Sequence, residues 1–508
     1  MWDTIVIGSG IAGLVAAAAL AKRGQRVLGL EQHHTAGGQT QTFTRQHWTF
    51  STGVHYLAGV GEHAGPDGQF GRLLAWLSDG NLRFADCGNP YDVIRLPGFT
   101  FGIEHPEASY RAALEARFPQ QKDAIAYWFS TMAAARSAAS TMLMARSLPA
   151  WMARGLRWWR DDATSRWSTQ TLSEVLAEIP DVQLRAVLGA RWGDYGGPPA
   201  ATPIVEHALV TGAYNAGAYF PVGGPARFAQ TLTPPVLATG GRWELGATVE
   251  RIELANGQVD AVVYRQGGAE QRARARQVIT TMGVHNTAAV LPDPAAEPWK
   301  ATLQAFKPGL SYLALYLGFE GDIAAAGAGA ANQWIYESDD VSRIWQHPAD
   351  EDAPCLFVSF PSLKDPLARA HPTAEVLGLC DAADFAPWLH LPGDERPEEY
   401  RAFKAWVEER LLAQFLRHFP QLAPLLRYHE MSTPVTQSHF VHAVDGAMYG
   451  IEMTPQSVGS PALDVRTPVP GLLLAGQDVF GAGVPAAAMS GLLAAAAIDM
   501  ALLRQLGM

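Results

Sequence analysis

Five side chains in this sequence combine types and settings suited to holding or moving one proton: His55, Tyr56, His207, Tyr219 and Tyr449. Neutral histidine and tyrosine suit general acid–base work, and burial tunes either one. Glu206 and Asp194 are weaker candidates, because an unpaired buried carboxylate is costly. Other chemistries lack their signatures. There is no HExxH, no nucleophile elbow and no Walker loop, which argues against zinc-protease, hydrolase and kinase activities. No metal site is expected. Cys87, Cys355 and Cys380 lie far apart with no CxxC pair, the pattern of reduced thiols in a cytosolic setting.

The elements that must position these groups begin at the N-terminus. "TIVIGSGIAGLVAAAALAKRGQRVLGLEQ" reads as strand, tight turn, helix and second strand. Thr4 to Ile7 forms the first strand, Leu14 to Lys22 continues the helix, Gly24 ends it, and Arg26 to Leu30 forms the second strand. Gly8 permits the turn, Gly10 lets the backbone approach a pyrophosphate, and Gly13 lets helix and strand pack closely. Ile11 and Ala12 open the helix, so their N–H groups and the helix dipole face the phosphates. Glu31, followed by Gln32, is placed to accept from a ribose 2′-hydroxyl and disfavours a 2′-phosphate. A second segment, "VPGLLLAGQDVFGAGVPAAAMSGLLAAAAIDMAL", repeats the logic at the other end. Leu472 to Ala475 is a strand, Gly476 and Asp478 turn the chain, and Gly483, Val484 and Pro485 open a second helix towards the cofactor. Asp478 is expected at the ribityl chain or a phosphate-bridging water. The apolar run Ala486 to Leu503 is long enough to suggest a membrane span. Asp499 interrupts it and alanine dominates it, so a buried globular helix is expected.

Composition fits this reading. The chain has 508 residues, 48% hydrophobic and 17% charged, which suits two or more domains with a large core. The net charge of −11 argues against nucleic-acid binding. Fifteen tryptophans point to a large aromatic-lined cavity or a membrane-facing surface. A basic n-region for a signal peptide is missing.

The dinucleotide motif alone does not separate FAD from NAD. Its flank does: Gly37 and Gly38, followed by Gln39 and Thr40, resemble the Gly-Gly of glutathione-reductase-like flavoproteins. Four blocks extend the likeness along the chain: "GGQTQTFTRQHWTFSTGVHYL", "HALVTGAYNAGAYFPVGGPARFAQTL", "STPVTQSHFVHAVDGAMYGIE" and "GLLLAGQDVFGAGVPAAAMSG". On these the sequence resembles the phytoene desaturase, carotenoid isomerase and retinol saturase group of amine-oxidase-like flavoproteins, and most of all its retinol saturase and carotenoid isomerase branch. Gln39 and Thr40 depart from the small residues of the animal members, which leaves the substrate open.

The resemblance implies an α/β fold: a Rossmann-type FAD-binding domain assembled from discontinuous segments, with an inserted α+β substrate domain. The expected division is 1–90, 210–300 and 455–508 for FAD, with 91–209 and 301–454 for substrate. It implies that Val249 flanks the adenine and that a strand from Gln277 to Met282 returns to the dinucleotide, reaching it at Gly283. It also implies that Tyr219 to Gly224 turns close to the flavin. Asn256-Gly257 and Gly267-Gly268 read as hairpin turns, and Ser311 to Phe319 as a strand of the substrate sheet. Only one dinucleotide fingerprint is present, so a separate electron donor is expected.

Residues 147–160 within "SLPAWMARGLRWWRDDATSRW" place tryptophans on one helical arc and arginines on the other. That suits an interfacial helix giving peripheral membrane contact, and equally a helix packed on the substrate domain with a solvated basic face. The resulting expectation is an FAD-dependent oxidoreductase that saturates or desaturates carbon–carbon bonds of a hydrophobic polyene, isoprenoid or lipid-like substrate. Two alternatives stand beside it: a cis/trans isomerase requiring reduced FAD, and a lipid- or prenyl-binding escort protein without catalysis.

Overall fold

Trp2–Ile7 runs between Val27–Glu31 and Ala269–Thr280 and is parallel to both. Ile5, Val6, Leu28 and Leu30 are buried, as strands covered on both faces require. The computed structural model describes residues 1–61, 68–148, 151–153, 155, 162–292, 296–342, 347–393 and 395–507. The first sheet has the order Ala247–Ala255, Gln258–Gln266, Ala269–Thr280, Trp2–Ile7, Val27–Glu31, Arg242–Leu245. Leu472–Leu474 joins it in parallel beside Val278, Ile279 and Thr280. The strand anticipated at Gln277 begins earlier, at Ala269, and stops at Thr280, before Met282. Asn256-Gly257 and Gly267-Gly268 each turn with positive φ at both residues (53° and 78°, 57° and 82°), which matches the twist of tight hairpins.

The helix Ile11–Ala21 is buried along its whole length. Its alanines let it lie between the sheet and the helix Val484–Ile498. Two glycines fix these approaches. A Cβ on Gly13 would stand 1.9 Å from the Gly8 carbonyl oxygen, and one on Gly491 would stand 2.1 Å from that of Ala12. The C-terminal apolar run is therefore a core helix. Asp499 ends it and pairs with Arg23 at 2.8 Å. Among the described residues no helix is long and apolar enough to cross a membrane.

A second sheet has the order Leu426–Ser432, Ser311–Phe319, Thr373–Cys380, Cys355–Ser359, Asn332–Tyr336, Asp92–Leu96, Phe99–Ile103. All nine residues of Ser311–Phe319 are buried, and they alternate with the period of two that a strand imposes. Leu313, Leu315, Leu317 and Phe319 pack in one cluster with Val407, Leu411 and Phe415 of the helix Glu398–His418. Tyr312, Ala314 and Tyr316 join the opposite cluster, with Trp334 and Phe357. The helices Lys122–Ser147 and Ile204–Ala213 contribute to that same cluster. Most of the Trp-Arg stretch 147–160 lies outside the described residues.

Candidate active site

The C-terminal ends of the first sheet open into a cavity of about 780 Å³, within the usual range for ligand sites. Gly8, Gly10, Ile11 and Ala12 form its floor where the first helix begins. That helix has no side-chain cap, so its leading N–H groups face the cavity unclaimed. Glu31 lies on the wall. One of its oxygens accepts from the Ser9 N–H (2.8 Å) and hydroxyl (2.5 Å), the other from the His33 N–H (2.8 Å). The Ser9 hydroxyl in turn accepts from the Gly37 N–H at 3.0 Å. Glu31 thus knits the loop together and retains lone-pair capacity for a ribose hydroxyl. Gly38 comes so close to Gly10 that a Cβ would lie 3.0 Å from the Gly10 Cα.

The opposite rim comes from the C-terminal segment. Gly476, Asp478, Gly483, Val484 and Pro485 line the cavity, and the helix Val484–Ile498 also starts without a side-chain cap. Both oxygens of Asp478 are engaged by backbone, accepting from Val284 N–H (2.9 Å) and Ile451 N–H (3.0 Å). Asp478 therefore binds three loops together, a role its sequence position did not suggest. Gln32, Gln39, Thr40, Val249 and Gly283 also reach the wall. Gly13 and Gly37 do not. Gly13 serves helix–strand packing, and Gly37 is held by Ser9.

Beyond this cradle the cavity runs into a chamber lined by aromatic and apolar side chains, including Trp334, Phe357, Leu377 and Leu209. His55 and Tyr56 line this cavity with ring centroids 5.3 and 6.2 Å from that of Phe357. His55 Nδ1 is 2.7 Å from Glu375 Oε2. Glu375 is fully buried, and its other oxygen accepts from the Ser51 N–H at 2.6 Å. Lys364, also buried, donates to the His55 carbonyl (2.8 Å), the Ser359 hydroxyl (2.8 Å) and the Asn332 side chain. Burial lowers the Lys364 ammonium from its ordinary value.

The Tyr56 hydroxyl lies between two carboxyls. It is 3.2 Å from Asp92 Oδ2 and 3.0 Å from each oxygen of Asp194. Arg191 reaches both acids at 3.4 Å through Nε and donates to the Tyr91 hydroxyl at 2.7 Å. Asp92 also accepts from the Asn332 amide at 3.2 Å. Burial raises both carboxyls against the pull of Arg191, and Asp194 is pushed up to about 7. Burial, reinforced by Asp194 and Asp92, also holds the Tyr56 phenol well above its usual range. Asp194 lines the cavity, whereas Asp92 is enclosed behind it. The sequence rated Asp194 a poor acid because it lacked a visible partner. Arg191, three residues earlier, is that partner.

The remaining sequence candidates divide. Tyr449 lines the chamber, near Asp194 and against Gly196, and burial raises its phenol. His207 and Tyr219 are off the wall, a correction to the grouping made from sequence. His207 is buried on the helix Ile204–Ala213, 2.9 Å from the Tyr195 hydroxyl, and burial drives its imidazole down to about 3. Its ring packs against Trp128 and Tyr195. Tyr219 sits in the strand Tyr219–Pro221, with its ring against Gly61 and its hydroxyl donating to the Ala216 carbonyl. Glu206 is buried beside Gly481 and Ala482, and burial pushes it up to about 7.

Comparison with known proteins matches this geometry to a family. Residues 6–67 match the NAD(P)-binding Rossmann-like domain. Over 526 residues the chain is 31% identical to the all-trans-retinol 13,14-reductase of Rattus norvegicus, covering 98% of this chain and 85% of that protein. It is 25% identical over 516 residues to the chloroplastic prolycopene isomerase of Arabidopsis thaliana, covering 97% and 82%. The cyclohexylamine oxidase of Brevibacterium oxydans IH-35A superposes with a TM-score of 0.62 over 100% of both chains, at 18% identity. The fold is therefore that of amine-oxidase-type flavoproteins.

Proposed function

The chain belongs to the all-trans-retinol 13,14-reductase family, and from that premise we propose that it is an FAD-dependent oxidoreductase that saturates carbon–carbon double bonds of a hydrophobic polyene. The observation that carries this reading is the continuity of the cavity. The dinucleotide cradle, the aromatic and apolar residues of the chamber, and His55 and Tyr56 all line one volume. When bound, a flavin supplies the two-electron chemistry that such a reaction needs. The residues fit it: two uncapped helix N-termini for the pyrophosphate, Glu31 for a ribose, and a Gly10–Gly38 approach that a Cβ would fill.

The chain's own residues do the rest. Trp334, Phe357, Leu377 and Leu209 hold an apolar ligand and exclude water. Glu375 fixes the His55 ring, and Lys364 anchors the His55 carbonyl, so this stretch of the wall keeps its shape. The segments 1–90, 210–300 and 455–508 serve the cofactor, while 91–209 and 301–454 serve the substrate. Electrons arrive from a separate donor. Leu143 lines the cavity, while its neighbour Met144 is 58% exposed and Trp151 is 76% exposed. That pairing supports peripheral membrane contact beside an entrance for lipid-soluble substrate.

The prolycopene isomerase likeness supports a second reading, cis/trans isomerisation with reduced FAD. One experiment tests both. The purified protein is reduced anaerobically and mixed with all-trans-retinol or a poly-cis carotene. Flavin re-oxidation with a product heavier by two hydrogens supports the saturase. A changed isomer at constant mass supports the isomerase. Protein that carries no flavin absorbance and gives neither product refutes both.

A further inference from the structure

The chamber wall holds an odd carboxyl. In the buried cluster around Tyr56, Arg191 reaches the carboxyls of Asp92 and Asp194, while Glu375 and Lys364 hold the adjacent His55. Asp92 and Asp194 both stand against the single Tyr56 hydroxyl, at 3.2 and 3.0 Å. Two carboxylates this close and enclosed away from water repel each other, which favours a proton on one of them.

Hydrogen-bond geometry points the same way. Tyr56 has one O–H, yet its oxygen lies at 3.2 Å from Asp92 and 3.0 Å from Asp194. It donates to one of them. The other contact is favourable only if that carboxyl is protonated and donates to the phenol oxygen. Asp92 has the Asn332 amide as an additional donor and is fully enclosed. Asp194 has fewer donors and faces the cavity. We infer that Asp194 stores the proton shared in this pair and delivers it to the substrate carbon, with Tyr56 and Arg191 as its positioning residues. The inference rests on the saturase reading above.

The step balances. The π bond of the double bond breaks. One carbon gains its new C–H bond from the Asp194 proton. The neighbouring carbon gains the second hydrogen, with the electron pair, from the reduced flavin, which is thereby oxidised. Asp194 is left as a carboxylate, stabilised by Arg191 and by donation from Tyr56, until a solvent proton returns. The groups facing Asp194 are of both kinds. Arg191 favours ionisation. Asp92 disfavours it. Tyr91, Tyr195, Tyr214, Tyr336 and Tyr449 surround it, and Lys364 stands behind Asp92. Burial leaves the carboxyl at about 7, where it can both hold and release a proton at neutral pH.

Two measurements on the purified flavin-loaded chain test this. The first is the infrared band of a protonated carboxyl, followed against pH without substrate. Wild type should show a band that fades as pH rises through about 7, and Asp194→Asn should lack it. A band that survives Asp194→Asn and vanishes in Asp92→Asn overturns the assignment. The second is single-turnover oxidation of the dithionite-reduced flavin by all-trans-retinol. Asp194→Asn should slow it about 100-fold or more at unchanged flavin content, with partial recovery in Asp194→Glu. Unchanged turnover in Asp194→Asn refutes the delivery role. The variant should fold, because Asp92 still neutralises Arg191. If wild type shows the band and saturates nothing, the saturase reading fails while the proton store stands.

Discussion

The crossing of Ile11–Ala21 with Val484–Ile498 offers a quantitative test of how the cradle is held. In Gly491→Ala the new methyl would lie 2.1 Å from the Ala12 carbonyl oxygen, 2.9 Å from its carbonyl carbon and 3.0 Å from its Cα. All three are backbone atoms, so no side chain can swing away. The helices must part by about 1 Å to restore ordinary contact, and a gap of that size forfeits about a quarter to a half of each dispersion contact it opens. Over-packing of this kind costs roughly 1–3 kcal/mol. For a chain of this length that lowers the melting temperature by only about 1–3 °C. The functional effect is larger, because both helices start at the cofactor cradle and part together. Gly491→Ala should lose most of its flavin on gel filtration, where wild type retains it. Gly459→Ala, which meets nothing within 4 Å, is the control. A Gly491→Ala protein with wild-type flavin content and melting temperature would refute the argument that this contact sets the cradle.

Three further outcomes are expected. Asp194 is raised from an ordinary 3.8 to about 7, so the folded chain binds a proton that the unfolded chain releases in that window, and stability falls as pH rises through it; urea midpoints should show Asp194→Asn gaining on wild type from about pH 4 to about pH 7 and holding the gain above. Tyr56→Phe removes the bridge between two buried carboxyls while keeping the ring, so single-turnover flavin oxidation should slow about tenfold or more, the worth of one hydrogen bond to a charged group, with flavin content unchanged. His207→Ala should reduce stability by roughly 2–4 kcal/mol in urea unfolding yet leave turnover per bound flavin unchanged, because the imidazole packs on Trp128 and Tyr195 away from the cavity.

Much of the cradle was legible because its rules are local. Gly8, Gly10 and Glu31 lie within one strand–helix–strand unit, where spacing alone dictates geometry. The Asn256-Gly257 turn follows from its two residues. His55 and Tyr56 share the cavity wall with Gly38, from which the chain runs to them over a short stretch. The groups around them were not legible. Asp92, Asp194, Lys364 and Glu375 come from four separate segments, and nothing near each one in sequence reveals the others. His207 and Tyr219 share one of the resembling blocks yet lie off the cavity wall, against Trp128 and Gly61.

The parallel pairing of Leu472–Leu474 with Ala269–Thr280 has a consequence for biogenesis. One rim of the cradle is made before residue 40 and the other after residue 475. A ribosome extends the chain N-terminus first, so for most of synthesis the Gly8 turn and the first helix lack the surface that Val484–Ile498 later covers. Cofactor capture therefore belongs to the end of translation. Until then the exposed flank of Ile11–Ala21 is a surface for chaperones to shield, and a ribosome that stalls short of residue 472 leaves a product that cannot be rescued by supplying flavin.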